Sequence, residues 1–454
     1  MFDIIGKIRG DKTIWAIVFL LALASFLPVY SASTNLVYVI GKGTTFGYLF
    51  KHFIHVLFGF AIIYVVHKTP YHYFKALSIF GIPLVILLLI YTLFKGTEIG
   101  GANASRWIQI PFVGISFQTS TLAFIVLMIY VARYLAKVSD KVYSFKESFL
   151  ELWLPVFCVL ILILPANFST TALIFLMICM LIFVGYYPLK YLGFVIGIGI
   201  GAILFFLLLA KAFPDNKYFS RVNTWENRIE RFLDDKPNED DYQFEKAKIA
   251  IASGGIYGLG PGKSVQKNFL PQSSSDFIFA IIIEEYGLFG GGVLLFFYLL
   301  LFFRFIINAQ KATSLFGKLL IIGLGFPIIF QALINMGVAV ELLPVTGQPL
   351  PLISSGGTSI WMTCIAIGII LSVTKKEEEV ALDLEEKRKR DEALRQIIEA
   401  QVALNEENEG EDIDENQQKI NAMKSSIKAA ILEDENGNVL VNGQNPMNAV
   451  LNKK

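Results

Sequence analysis

Histidine and cysteine are scarce in this sequence, four of one and three of the other among 454 residues. That leaves no room for the spacings that zinc fingers, zinc ribbons and disulfide frameworks require. Cys158, Cys179 and Cys364 all fall within long apolar runs, where a thiol behaves as a small hydrophobe. Charge is scarce as well: 17% of residues are Asp, Glu, Lys or Arg, and the formal net charge is +1. With no basic surplus to neutralise phosphates, nucleic acid is excluded as a partner. Two further signals are missing. The string "GPGKS" lacks the earlier glycine of a nucleotide phosphate loop. No small-residue cleavage site follows the basic, apolar start "MFDIIGKIRGDKTIWAIVFLLALASF", which therefore reads as an uncleaved first helix.

What the chain has in abundance is hydrocarbon: 54% of residues are hydrophobic. Runs of about 20 apolar residues are long enough to span a bilayer. They recur near 13–30, 48–66, 77–95, 112–135, 149–165, 169–187, 191–213, 276–303, 316–342 and 358–374. The expected fold is an all-α polytopic membrane protein of ten transmembrane helices, residues 1–374. A large loop, 214–275, separates helices seven and eight. Short loops on one side carry Lys7, Arg9, Lys12, Lys68, Lys75, Arg133, Lys137, Lys141, Lys146, Lys190, Arg304, Lys311, Lys318, Lys375 and Lys376. Positive flanks stay in the cytoplasm, so both termini are expected there and the large loop outside. From 375 to 454 the composition turns to dense alternating charge, expected to form a helix near 377–404 and then an acidic, disordered continuation.

Three outward segments carry unusual chemistry. In "GTEIGGANASRWIQIPFVGISFQTSTLAF", Arg106 and Trp107 lead towards Gln118, Thr119, Ser120 and Thr121. Hydroxyl side chains on a membrane helix bond equally well to neighbouring helices or to their own backbone. Arg106 either snorkels to the interface or grips an anionic headgroup with its planar fork. The large loop has amphipathic pieces at 221–233 and 242–252, then "SGGIYGLGPGKSVQKNFLPQSSSD". There Lys263 and Lys267 sit beside glycines able to approach a diphosphate, although the same string suits a surface turn. In "ELLPVTGQPLPLISSGGTSIW", Pro344, Pro349 and Pro351 forbid a continuous helix. Non-helical backbone at membrane depth is tolerated only against protein or along a watery cavity. A crevice should therefore open outward, with Asp276 beside it. Glu284 and Glu285 lie about two turns further along the eighth run and read as structural before catalytic.

Ten spans, "SGGIYGLGPGKS" feeding "LPQSSSDFIFAIIIEEYGLFG", and "LLPVTGQPLPLISSGGTS" before the last span together resemble the SEDS family of membrane glycosyltransferases that polymerise peptidoglycan. The resemblance covers nearly all of residues 10–375, and the strings sit closer to the family's cell-division branch than to its elongation branch. It implies an essential aspartate in "LPxxxxDFIFA", here Asp276. It implies a substrate surface at Arg106, Trp107, Gln118, Ser120, Lys263, Lys267, Pro271, Gly347, Ser354, Gly356, Gly357 and Ser359. The substrate it implies is lipid II and the growing undecaprenyl-linked glycan. The implied partners are a class B penicillin-binding transpeptidase and other divisome proteins, and the implied setting is the bacterial inner membrane at the septum. No metal ligands are assigned, and a divalent cation (Mg or Mn) at the diphosphate is left open. Two departures remove ionic roles: the usual "QPSELAK" reads "QTSTLAF", placing Thr121 and Phe124 where the family has Glu and Lys, and the usual "PDxGT" reads "PANFST", placing Asn167 where it has Asp. A lipid flippase also suits ten spans and broken helices, but matching interruptions in two halves are not visible. A scaffold that recruits a transpeptidase is the third reading.

Overall fold

The computed structural model describes residues 9–40, 43–96, 107–109, 116–139, 144–212, 239–270, 273–407, 431–433 and 439–441. Residues Met1–Glu379 form one compact unit and Val380–Lys454 a second. The protein is helical and polytopic, and among the described residues strands occur only in two short hairpins.

The first run folds as α1 (Lys12–Ala24) and α2 (Phe26–Ile40), joined at Ser25, whose hydroxyl bonds back to the Ala22 carbonyl at 2.6 Å. Next come α3 (Thr45–Lys68) and α4 (Tyr73–Lys95), then a hairpin of β1 (Trp107–Gln109) against β2 (Ser116–Gln118). Helix α5 (Thr119–Val138) follows directly, so the fourth run starts later than its hydrophobicity suggests and Gln118 belongs to the hairpin. The fifth run is helical from α6 (Phe145–Ser148) through a π-helical turn at Phe149–Trp153 to α7 (Leu154–Ile163). The wide turn has a cause. Pro155 has no N–H to give the Glu151 carbonyl, and the Tyr130 hydroxyl from α5 bonds that carbonyl instead.

The remaining helices are α8 (Phe168–Val184), α9 (Leu189–Ala212), α10 (Glu239–Gly254), α11 (Ile278–Lys311), α12 (Leu315–Ala339) and α13 (Gly357–Glu407). Among the described residues seven helices are long and apolar enough to cross a membrane. The fifth, sixth and seventh runs supply three further apolar stretches: α6 to α7, α8 and α9. In the second unit the described chain is helical to Glu407, with a Glu385–Lys389 pair at 2.8 Å, and a hairpin pairs β3 (Ile431–Glu433) with β4 (Val439–Val441).

Lipid is as apolar as leucine, so membrane helices gain from close approach rather than from hiding hydrocarbon. Glycines make that approach possible. A Cβ on Gly81 of α4 would lie 2.8 Å from Val126 of α5, one on Gly323 of α12 2.8 Å from Leu181 of α8, and one on Gly325 2.6 Å from Phe305 of α11.

One end of the bundle is tied by polar contacts. The Asp11 carboxylate accepts from the Thr13 amide at 2.8 Å, pairs with Arg304 at 2.8 Å and accepts from Asn308 at 2.6 Å. Its amide donates to Thr374 at 3.1 Å. At the same end Tyr71 bonds Ser314 at 2.8 Å. Of the segments that the Lys and Arg pattern placed on one side, those around residues 11, 71, 304–314 and 374 are thus gathered together.

Candidate active site at the opposite end

Helix α11 is the least regular element. Gly287 takes φ 70° and ψ −176° in its interior, so a short buried segment, 278–286, breaks from the long segment beyond it. Other residues are strained at that positive φ. A Cβ there would also lie 2.1 Å from the Ile256 carbonyl oxygen. The glycine-rich turn after α10 fills the break. The amides of Leu259 and Gly260 donate to the carbonyls of Glu284 and Glu285, each at 2.9 Å, and those of Leu288 and Phe289 donate to Gly255 and Ile256 at 2.9 and 3.1 Å. Hence the two glutamates do not lie along one straight span, as the uninterrupted apolar run suggests. They sit at its break, wrapped by the loop.

Both glutamates are 1% exposed; Glu284 is engaged through both oxygens, whereas Glu285 is engaged through one and keeps Oε2 buried without a hydrogen-bond partner. Glu284 accepts from the Ser264 hydroxyl, from the Val265 amide at 2.9 Å and from the Gln266 amide at 3.2 Å. Glu285 accepts from the Ser31 hydroxyl of α2. Lys267, expected to meet a diphosphate, donates to the Gly262 carbonyl at 2.7 Å and to Ser31 at 3.1 Å. The structure therefore gives Lys267 a structural engagement, while Lys263 stays exposed.

Asp276 is half-buried in the turn leading into α11. Its carbonyl and that of Gln348 each accept from the Asn335 side-chain amide at 2.8 Å. The two preceding carbonyls are held too: Ser275 accepts from the Ser354 hydroxyl at 2.6 Å, and Ser274 from both the amide and the hydroxyl of Ser355 at 2.9 Å. The facing wall is the proline-rich segment 341–356, which is non-helical as its three prolines demand. There Gly347 has φ 65°, and a Cβ on it would lie 3.5 Å from Asp276 Oδ2. Gln348 reaches Thr170 of α8 at 2.9 Å, and Gln331 of α12 holds the Pro349 carbonyl at 2.9 Å. The Asp276 turn, the segment 341–356, α8 and α12 are thus linked to one another here.

The structure brings Asp276, Gly347 and Ser354 together. Ser120 lies apart, in a small cleft shared with Thr92, Thr119 and Asn167. Asn167 also caps α8, accepting from the Thr170 amide at 3.2 Å. Ser359 faces a groove between α5, α12 and α13, whose wall includes Thr121, Phe124 and Gln331. Gly356 immediately precedes α13. Gly357, its first residue, packs on the His55 ring, which a Cβ would approach to 2.6 Å. Trp107 and Gln118 face each other across the β1–β2 hairpin. Arg106 and Pro271 lie outside the described residues, as does the expected amphipathic piece 221–233. Among the described residues no group of three or more His, Cys, Asp or Glu gathers as a metal-ligand cluster, so no ligand set is assigned.

Asn335, Gln348 and Thr170 were not singled out by sequence reasoning. One signal was available: Gln331 and Asn335, spaced i and i+4, put two amides on one face of an otherwise apolar helix.

Comparisons with known proteins bear on the family and the fold. The family model for the cell cycle proteins FTSW_RODA_SPOVE matches residues 11–379. A protein of Geobacter sulfurreducens named "Probable peptidoglycan glycosyltransferase FtsW" is 32% identical over 379 residues, covering 81% of this chain and 96% of its own. One of the same name from Coxiella burnetii is 29% identical, covering 80% and 96%. The crystal structure of Thermus thermophilus rod shape determining protein RodA matches with TM-score 0.58 and 22% identity, covering 81% of this chain and 97% of that one. A chain from the structure titled "Structural coordination of polymerization and crosslinking by a peptidoglycan synthase complex" matches with TM-score 0.60 and 23% identity, covering 81% and 98%. At those identities the two structures establish the shared fold. By the extent of the family match and the identity to the Geobacter relative, the chain belongs to the FtsW/RodA/SpoVE family of cell cycle proteins, the SEDS family.

Proposed function

We propose that this protein is a peptidoglycan glycosyltransferase that polymerises lipid II into glycan strands for the septal wall of a dividing bacterium. The observation that carries the reading is Asp276, a half-buried carboxylate facing the non-helical segment 341–356. The backbone around it is held by Asn335, Ser354 and Ser355, and opposite it stands a glycine with no side chain. Glycosyl transfer needs a base beside the attacking hydroxyl. In this assignment the 4-hydroxyl oxygen of an acceptor GlcNAc bonds to the anomeric carbon of a donor MurNAc. Asp276 takes the hydroxyl proton, and the bond to undecaprenyl diphosphate breaks with its electron pair going to the leaving group. Positive charge for that diphosphate is assigned to Lys263 and Arg106.

The same reading sets the protein in the inner membrane, with residues 375–454 as a cytoplasmic tail and the crevice outside. Its partners would be a class B penicillin-binding transpeptidase, which consumes the strands, and other divisome proteins. The test is polymerisation of purified lipid II by the reconstituted protein, alone and with the transpeptidase. Asp276→Asn preserves size and removes the base, and the expected loss is about two to four orders of magnitude in a variant that purifies as a folded protein. An Asn variant that polymerises at the wild-type rate would remove the base assignment. Wild-type protein that moves lipid II across vesicles without lengthening glycan would favour a flippase.

A further inference from the structure

Asn335 is 1% exposed on a stretch of α12 that is apolar apart from it and Gln331. A buried amide is costly unless its groups are paired. Its nitrogen is fully used, one N–H to the Asp276 carbonyl and one to the Gln348 carbonyl, partners 59 and 13 residues away in sequence. Its Oδ1 is buried without a hydrogen-bond partner. An apolar side chain of the same size would fit α12 without that orphaned acceptor, so helix packing does not explain the amide. What the amide does is bridge the turn that carries Asp276 and the non-helical segment that faces it. One N–H fixes the turn that carries the Asp276 carboxylate. The other fixes the residue after Gly347, the glycine that faces that carboxylate.

We infer that Asn335 is a positioning residue for glycosyl transfer, setting the separation between Asp276 and the Gly347 turn through which the acceptor hydroxyl reaches it. The inference rests on the activity proposed above. The bridge acts on the chemical step more than on substrate capture, because it holds the base and its approach rather than the lipid or the diphosphate. Misplacement of a catalytic group by about 1 Å costs on the order of a hundredfold in rate.

The experiment compares wild type, Asp276→Asn, Asn335→Ala, Asn335→Leu and Asn335→Asp in one lipid II polymerisation assay, with melting temperature and monodispersity measured on each preparation. Leucine has the branched shape of asparagine without its buried acceptor, and the melting temperature shows whether this amide-free variant is folded. The expected result is a kcat lowered about tenfold to a hundredfold in the Ala and Leu variants, with KM for lipid II within about twofold of wild type. Asn335→Asp places a second carboxylate beside Asp276, and like charges raise one another's pKa, so the acid limb of the rate–pH profile should move to higher pH. Wild-type kcat in the Leu variant would overturn the inference. So would a loss of activity in every variant that only tracks the loss of folded protein, with the acid limb of the Asp variant unmoved. Silence of the wild type under conditions where it is folded is a different result, which removes the proposed activity itself.

Discussion

Replacing Glu284 separates a structural carboxylate from a catalytic one, and the structure sets the size of the effect. Glu284 accepts from the Ser264 hydroxyl and from the amides of Val265 and Gln266. In Glu284→Ala these three donors lose their partner. A buried donor left unpaired costs about 1–3 kcal/mol. Ser264 is buried, but the two amides are partly open to water and stand at the low end, so the loop stretch 264–268 should lose about 3 kcal/mol in total. That is about a hundredfold in a local opening equilibrium. Glu284→Gln keeps one acceptor oxygen for the amides and should lose about 1 kcal/mol, because charge-assisted bonds are about twice as strong as neutral ones. Hydrogen exchange on protein in lipid nanodiscs reads this directly. The amides of Val265 and Gln266 should exchange about a hundredfold faster in the Ala variant, with the Gln variant between it and wild type. If the Ala variant kept wild-type protection while glycan synthesis collapsed, Glu284 would be part of the chemistry and the clamp would be refuted.

The same stretch shows what was legible in the sequence. The apolar runs marked the helices because a bilayer sets a length of about 20 residues, which a single chain displays without any knowledge of its contacts. Pro344, Pro349 and Pro351 marked the non-helical segment because three prolines so close together forbid a continuous helix, whereas the lone Pro83 and Pro327 are carried inside α4 and α12. Asp276 and the two glutamates stood out because acid in an apolar run demands a reason. The break at Gly287 was not legible. One glycine in an apolar helix is ordinary, and its positive φ is imposed by pairing with residues 255–260, a non-local contact. The engagement of Lys267 was hidden for the same reason: its partner Ser31 lies 236 residues away. Composition offers Lys267 as a phosphate ligand, and only the fold places the Ser31 hydroxyl and the Gly262 carbonyl on its ammonium. The Asn335 bridge likewise joins distant stretches, and nothing local distinguishes it from an amide that bonds its own helix.

Substitutions at two further positions test opposite ends of the bundle. At the tied end, burial raises the Asp11 carboxyl, but bonds from Asn308, Arg304 and Ile14 reverse the sign and hold it below the ordinary value of 3.8. A carboxyl depressed on folding contributes stability above that value and loses it as pH falls through the lower folded one. Asp11→Asn should therefore lower the melting temperature at pH 7 and flatten its fall below about pH 4, and an unchanged acid slope would refute the contribution. At the crevice, Gly347→Ala adds a methyl 3.5 Å from Asp276 Oδ2, an ordinary contact, at a residue with φ 65°. The positive φ costs an L-residue about 1–2 kcal/mol, and the methyl stands where a hydroxyl must come within about 2.6–3.2 Å of the carboxylate. Strain and obstruction are separable, because asparagine adopts positive φ readily yet is bulkier than alanine. If obstruction dominates, Gly347→Asn melts closer to wild type than Gly347→Ala does, yet polymerises lipid II no faster. If strain dominates, Gly347→Asn recovers stability and turnover together, and the open face of Gly347 is not the path by which the acceptor reaches its base.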